Sequence, residues 1–246
     1  MNRLPLNTLT SLLLLAALLP ACSEGPGDAP TATISEAQPD AVDVGANPPS
    51  PQEAQPGGAG VPTVYALTDE TFIGFTGYKI GGKHFGQINA YDGSVTVPGD
   101  DLTQTQIKLE MDMTSAKTDD SILSNTLQNE NFFNTEQHPT ATFESTQITR
   151  TNDNYEVTGN FTLRGVAKGI TFPAEIAVED DTLTARAEFT VNRKEWQVGQ
   201  GWKEDAIIKD DVLIELDVVA KAAEGAAGEL VDQFSQPAEG SRPKEQ

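Results

Sequence analysis

Between residues 63 and 221 the chain alternates apolar and polar positions. Ile107, Leu109, Met111 and Met113 alternate with Lys108, Glu110 and Asp112. Leu183, Ala185, Ala187, Phe189 and Val191 alternate with Thr184, Arg186, Glu188 and Thr190. Val212, Ile214, Leu216 and Val218 form a third row, with Glu215 and Asp217 opposite. Tyr155, Val157, Phe161 and Leu163 share one face, as do Ile170, Phe172, Ala174, Ile176 and Val178. A period of two is the signature of strands with one buried face. The polar opposite face suits an antiparallel sheet, because a parallel sheet is covered on both sides. Reversals are expected at Asp92-Gly93, Pro98-Gly99-Asp100-Asp101, Asn152-Asp153-Asn154 and Glu179-Asp180-Asp181, all rich in turn formers.

Only residues 118–138 interrupt the strands for long. Ile122, Leu123, Leu127 and Phe132 or Phe133 can line one helical side there, so one or two short helices are expected between the middle strands. Many short strands and one apolar face predict an all-β barrel or sandwich. The barrel is favoured because closure removes exposed edges.

The two ends of the chain read differently. Residues 1–21 carry one basic residue, Arg3, then a short apolar run through Leu12, Leu15 and Leu19. The run falls short of the ~20 residues that span a bilayer, and it has the layout of a removable export signal. Leu19-Pro20-Ala21-Cys22 resembles the lipobox of bacterial lipoproteins, and Cys22 is the only cysteine in the chain. That resemblance implies a diacylglyceryl thioether on Cys22, cleavage before it and acylation of the new amine. Multiple acyl chains anchor stably where one does so only marginally. Ser23 stands where some bacteria use Asp to retain lipoproteins at the inner membrane, so the expected location is the outer membrane facing the periplasm. Residues 22–62 are rich in Pro, Gly, Ala and Ser without apolar periodicity, and are expected to be a disordered leash reaching about 35 Å. Residues 222–246 are expected to be a similar tail.

Charge narrows the partners. With 16 Lys and Arg against 37 Asp and Glu, the net charge of −21 argues against nucleic acid and against binding anionic head groups by charge. Residues 77–84, Gly-Tyr-Lys-Ile-Gly-Gly-Lys-His, approach the phosphate-loop pattern. His84 stands where a Ser or Thr would bind magnesium and strands surround the motif, so it reads as a turn. His84 and His138 lie far apart and read as surface or rim residues; no three or four convergent metal ligands are evident. Asp119-Asp120 and Asp210-Asp211 read as solvated turn residues. Arg193 continues the row from Leu183 to Val191, and is expected past the strand end, solvated or paired with an acid. The sharper alternative is a rim cation facing a ligand head group.

Three segments then resemble the YceI-like family. These are Phe132-Phe133 followed by Pro139-Thr140-Ala141-Thr142-Phe143, then Thr158-Gly159 through Arg164-Gly165-Val166-Ala167-Lys168, then Phe189 to Trp196. Residues 211–218 are similar to its closing strand. Ala167 and Trp196-Gln197 depart from the family's commoner Thr and Phe-Gly. The resemblance implies an extended, lipocalin-like antiparallel barrel. It also implies non-enzymatic binding of an isoprenoid or other long-chain lipid, such as a quinone tail, in an apolar lumen without any further cofactor. The expected lumen wall is Phe75, Ile88, Leu109, Met111, Phe143, Phe161, Phe172, Ala187, Phe189 and Leu216, with room left by Ala174, Ala185, Ala187 and Gly159. The rivals are a solid barrel that binds another protein and an enzyme acting on a lipid head group at the mouth; a homodimer is one option for the assembled state.

Overall fold

The computed structural model describes residues 25–38, 61–152 and 154–223. Residues 1–21, Cys22, most of the 22–62 segment and the tail beyond residue 223 lie outside the described residues.

The alternating rows become strands. In chain order they are β1 (Thr33–Glu36), β2 (Thr63–Leu67), β3 (Phe72–Lys79), β4 (Gly82–Ile88), β5 (Tyr91–Val97), β6 (Gln106–Asp112) and β7 (Lys117–Thr118). Helix α1 (Ser121–Leu127) follows, then β8 (Thr140–Thr151), β9 (Asn154–Leu163), β10 (Val166–Glu179), β11 (Thr182–Asn192) and β12 (Ile208–Ala222). All named strand pairs are antiparallel.

The ring closes through eight staves. β12 pairs β3 along residues 208–217 and β2 along residues 220–222, so β2 and β3 are successive lengths of one stave. β5 and β4 form the next stave, opposite β2 and β3 respectively, and β6 with β7 the one after. β8, β9, β10 and β11 complete the circuit back to β12. Side chains bridge the breaks within staves. Thr71 Oγ1 both accepts from the Val219 N–H and donates to its carbonyl, each at 3.0 Å. Ser115 Oγ accepts the N–H groups of Asn89 (3.1 Å) and Ala90 (2.9 Å). This fold is the expected antiparallel barrel, with one helix between its middle strands.

Two expectations need correction. Asp92-Gly93 is no reversal: both residues lie inside β5, where Gly93 faces Leu109. A Cβ at Gly93 would sit 2.6 Å from the Lys108 carbonyl, so the glycine permits a close backbone approach.

The second correction concerns the expected leash. Residues 30–38 are not an unpaired coil. β10 pairs β11 only at residues 175–179; beyond Arg186, β11 continues along β12 while β10 continues along β9. Pro173, which has no N–H to give a ladder, stands just past this parting. β1 enters the gap. Thr33–Glu36 pair with residues 171–168 of β10, and on the other side Ala32 N–H donates to Thr190 O while Thr190 N–H donates to Pro30 O, both at 2.8 Å. Ala32 is 5% exposed and belongs to the main core, and Ile34 packs against it. Asn160 closes the far end with two hydrogen bonds to the Gln38 backbone, 2.9 and 2.8 Å. The strand escapes sequence reading because only Ala32 and Ile34 alternate, within a Pro- and Ala-rich stretch.

Candidate functional site: the barrel lumen

Inward positions follow from strand parity. Across β11 and β12, Ala185 faces Val218, Ala187 faces Leu216, Phe189 faces Ile214 and Val191 faces Val212. The next stave adds Ile73 beside Leu216 and Phe75 beside Ile214. These rows enclose a cavity of about 770 Å³, within the usual span of small-molecule sites. Its wall is overwhelmingly apolar. One end is closed by a separate buried cluster of Tyr65, Val95, Val97, Leu183 and Ala220. A barrel filled by its own side chains is therefore not what this sequence builds.

All ten expected wall residues, Phe75, Ile88, Leu109, Met111, Phe143, Phe161, Phe172, Ala187, Phe189 and Leu216, line this cavity. Phe172 and Phe189 stack at 4.3 Å across the β10–β11 parting, and Phe143 leans on Phe172 at 5.8 Å. Ala174, Ala185 and Ala187 line the open space as expected. Gly159 does not add to it. The Phe143 ring already occupies the place of its side chain, 2.5 Å from where a Cβ would stand. Of the wall residues the sequence reading left out, Ile73 and Ile214 share rows with those it named. Trp202 belongs to no strand and gives no periodic signal.

The mouth is marked by residues that both line the cavity and face solvent. Asp120, Ile122, Glu204 and Ile207 do so, on α1 and on the loop leading into β12. Lys79 and His84, facing residues 82 and 77 across the β3–β4 hairpin, line the same end. The phosphate-loop look-alike is the turn of this hairpin. Of the helical side expected between residues 122 and 133, Leu127, Phe132 and Phe133 are buried, but Ile122 is exposed.

Several of the charges at this end are tied into structural pairs. Asp120 caps α1, and the N–H groups of Leu123 and then Ile122 hold its carboxyl below the ordinary range. His84 stands at the rim as expected, and the β4–β7 pairing brings the Asp119 carboxylate to its Nδ1 at 2.9 Å. Arg193 is not solvated. It is 5% exposed and paired with acids, as one branch of the expectation held. Its Nε donates to Lys209 O (3.0 Å), Nη1 to Val198 O (2.7 Å), and Nη2 to Asp205 and to Asp210 (3.3 Å). Every nitrogen is engaged, so this guanidinium braces the loop between β11 and β12 instead of greeting a head group. Asp205 is held below its ordinary range chiefly by that hydrogen bond. Lys194 joins the cluster at 2.9 Å from Asp210, so Asp210 is no mere solvated turn residue. Arg164 does comparable work at the β9–β10 turn, donating to the carbonyls of Gln197 and Glu130 and joining two loops over the barrel end. Among the described residues no three His, Cys, Asp or Glu converge as a metal site.

The model of the YceI-like domain matches residues 65–220. The chain belongs to the YceI-like family. A UPF0312 protein of Pseudomonas aeruginosa is 33% identical over 97 residues, 39% of this chain and 51% of that protein. The chain thus spans about half the length of that curated relative. BcnA of Burkholderia cenocepacia has a like fold, with TM-score 0.60 and 23% identity over 63% of this chain and 99% of its own. A polyisoprenoid binding domain from Saccharophagus degradans, implicated in plant cell wall breakdown, superposes with TM-score 0.53 at 12% identity, covering 65% of this chain and 98% of that one. The fold of this YceI-like chain is thus shared with proteins of low sequence identity.

Proposed function

We propose that this YceI-like protein binds a long-chain lipid, of isoprenoid or similar alkyl character, in its lumen and carries it without chemical change. The open, apolar cavity of about 770 Å³ is the observation that carries this reading. Each methylene moved from water into such a wall contributes about 0.8 kcal/mol, so a chain of modest length gains enough for tight retention. The like-folded domain described as polyisoprenoid-binding adds support. Binding fits better than catalysis because the carboxylates, His84 and Arg193 at the mouth cap a helix, brace a loop or pair with one another. The direct test is the lipid content of the purified protein: a long-chain lipid should be recovered, and its absence would count against carriage.

We also propose that Cys22 carries the lipid anchor and holds the protein at the outer membrane, facing the periplasm. With Thr31 fixed in the barrel wall, the stretch from Cys22 is nine residues long and reaches at most about 30 Å. The barrel is then held close to the bilayer instead of roaming on the longer leash. Cys22→Ala should abolish incorporation of radioactive palmitate and leave the signal uncleaved or the protein released. Equal labelling of wild type and variant would defeat the lipoprotein reading.

A further inference from the structure

Six large hydrophobic side chains are exposed among the described residues, and the mouth of the lumen gathers half of them from three separate elements. Ile80, 67% exposed, sits at the tip of the β3–β4 hairpin. Ile122, 77% exposed, lies on the first turn of α1. Ile207, 42% exposed, precedes β12. The Ile80 N–H donates to Ile207 O at 2.9 Å, which fixes two of these tips side by side. Ile122 and Ile207 also line the cavity, so the patch borders its opening. Scattered surface isoleucines need no explanation, but a cluster around the mouth of an apolar cavity does.

Two neighbours say what covers the patch. Trp202 is half-buried, lines the cavity, and donates through Nε1 to Glu204 at 3.1 Å, while the Lys203 ammonium lies 5.6 Å from its ring centre. A tryptophan with an apolar body and a wet N–H, flanked by a lysine, is the pairing that settles at a lipid–water boundary. The local charge agrees. Residues 79–84, 117–122, 193–195 and 202–211 together hold seven basic and seven acidic residues, while the whole chain holds 16 basic and 37 acidic residues. This end is where the chain's strong negative charge is cancelled, so it can approach a phospholipid surface that repels the rest of the barrel.

We propose that the mouth of the lumen docks on a phospholipid bilayer through Ile80, Ile122 and Ile207, with Trp202 at the interface. The inference rests on the lipid-carrier reading for its purpose, since an alkyl chain could then pass between bilayer and lumen without crossing water. Its geometry stands on the exposed residues alone. Docking needs neither the bound lipid nor a specific head group.

Tryptophan emission tests this in the full chain with its anchor, because the chain has two tryptophans and Trp196 is buried. Vesicles of dibrominated phosphatidylcholine quench only rings in contact with acyl chains. Wild-type protein should lose the Trp202 part of its emission on brominated vesicles and keep it on plain phosphatidylcholine. Ile80→Ser/Ile122→Ser/Ile207→Ser should keep that emission on both while unfolding at the wild-type temperature. Unquenched wild-type emission, or equal quenching in wild type and variant, overturns the docking surface. Should the variant fail to fold, Ile80→Ser alone decides, because Ile80 does not line the cavity: quenching of Trp202 must fall below that of wild type, and quenching equal to wild type overturns the docking. Lipid recovered from protein that shows no quenching would sink the docking and leave the carrier reading standing; quenching with an empty lumen would do the reverse.

Discussion

Ala187→Trp should empty the lumen while leaving the barrel folded. Ala187 lies mid-strand in β11, faces Leu216 and lines the cavity. An indole there projects into open space, so it takes ligand volume and meets little wall. Retained lipid should fall at least about tenfold, equivalent to a 1.4 kcal/mol loss of affinity. The midpoint of thermal unfolding of delipidated protein should stay within about 3 °C of wild type, the shift of roughly 1 kcal/mol in a domain of this size. A filled barrel would respond in the opposite way. The same ring would then overpack a core at a cost of about 1–3 kcal/mol or more, and lipid content would not depend on it. Lipid extraction and calorimetry on the one variant separate the two.

Arg193→Ala should be the most destabilising single truncation at the mouth. It removes a fork that holds three carbonyls and two carboxylates, and leaves Asp205 and Asp210 with only the half-exposed Lys194 as their cation. Breaking a buried pair by removing one partner costs about 3–5 kcal/mol. Here the lower end applies, because the Asp210 side chain is half exposed and can rehydrate. A loss of about 3 kcal/mol lowers the unfolding midpoint by roughly 6–12 °C. Arg193→Lys should recover little of it, since a point charge cannot reproduce the fork. Acid should act on the same cluster. The folded-state pKa of Asp205 is depressed, so its contribution is present above the ordinary carboxylate pKa of about 4 and is lost as pH falls through the depressed value. Wild type should therefore lose more stability than Arg193→Ala on acidification. An Arg193→Ala midpoint within about 2 °C of wild type would show that the loop stands without this brace.

Period-two alternation made the barrel wall legible. In β9 to β12 the apolar alternation is nearly uninterrupted, and residues such as Phe172, Phe189 and Leu216 could be assigned to the lumen by parity alone. Three features resisted that method for physical reasons. β1 is held by the parting of β10 and β11, a property of distant strands, so its own four residues carry almost no signal. Gly93 and Gly159 look like a turn former and a space-maker, but each answers a close neighbour: a carbonyl across the sheet in one case, the Phe143 ring in the other. Arg193 keeps the parity of an inward residue, yet its role depends on a loop that brings Asp205 and Asp210 back over the strand end. Ile122 fits a helical apolar side perfectly well and still faces solvent, because the barrel mouth lies where a neighbouring helix would have covered it.

Mass spectrometry of organic extracts tests lipid carriage most directly. The protein should be purified from the membranes of a bacterial host without added lipid, and the extract compared with that of Ala187→Trp prepared in parallel. Lipid carriage predicts a long-chain, mainly hydrocarbon molecule recovered in near-stoichiometric amount from wild type and nearly absent from the variant. The acyl groups expected on Cys22 stay covalently attached and do not enter the comparison. No lipid in the wild-type extract, or equal amounts from both proteins, would contradict an open lumen that holds one.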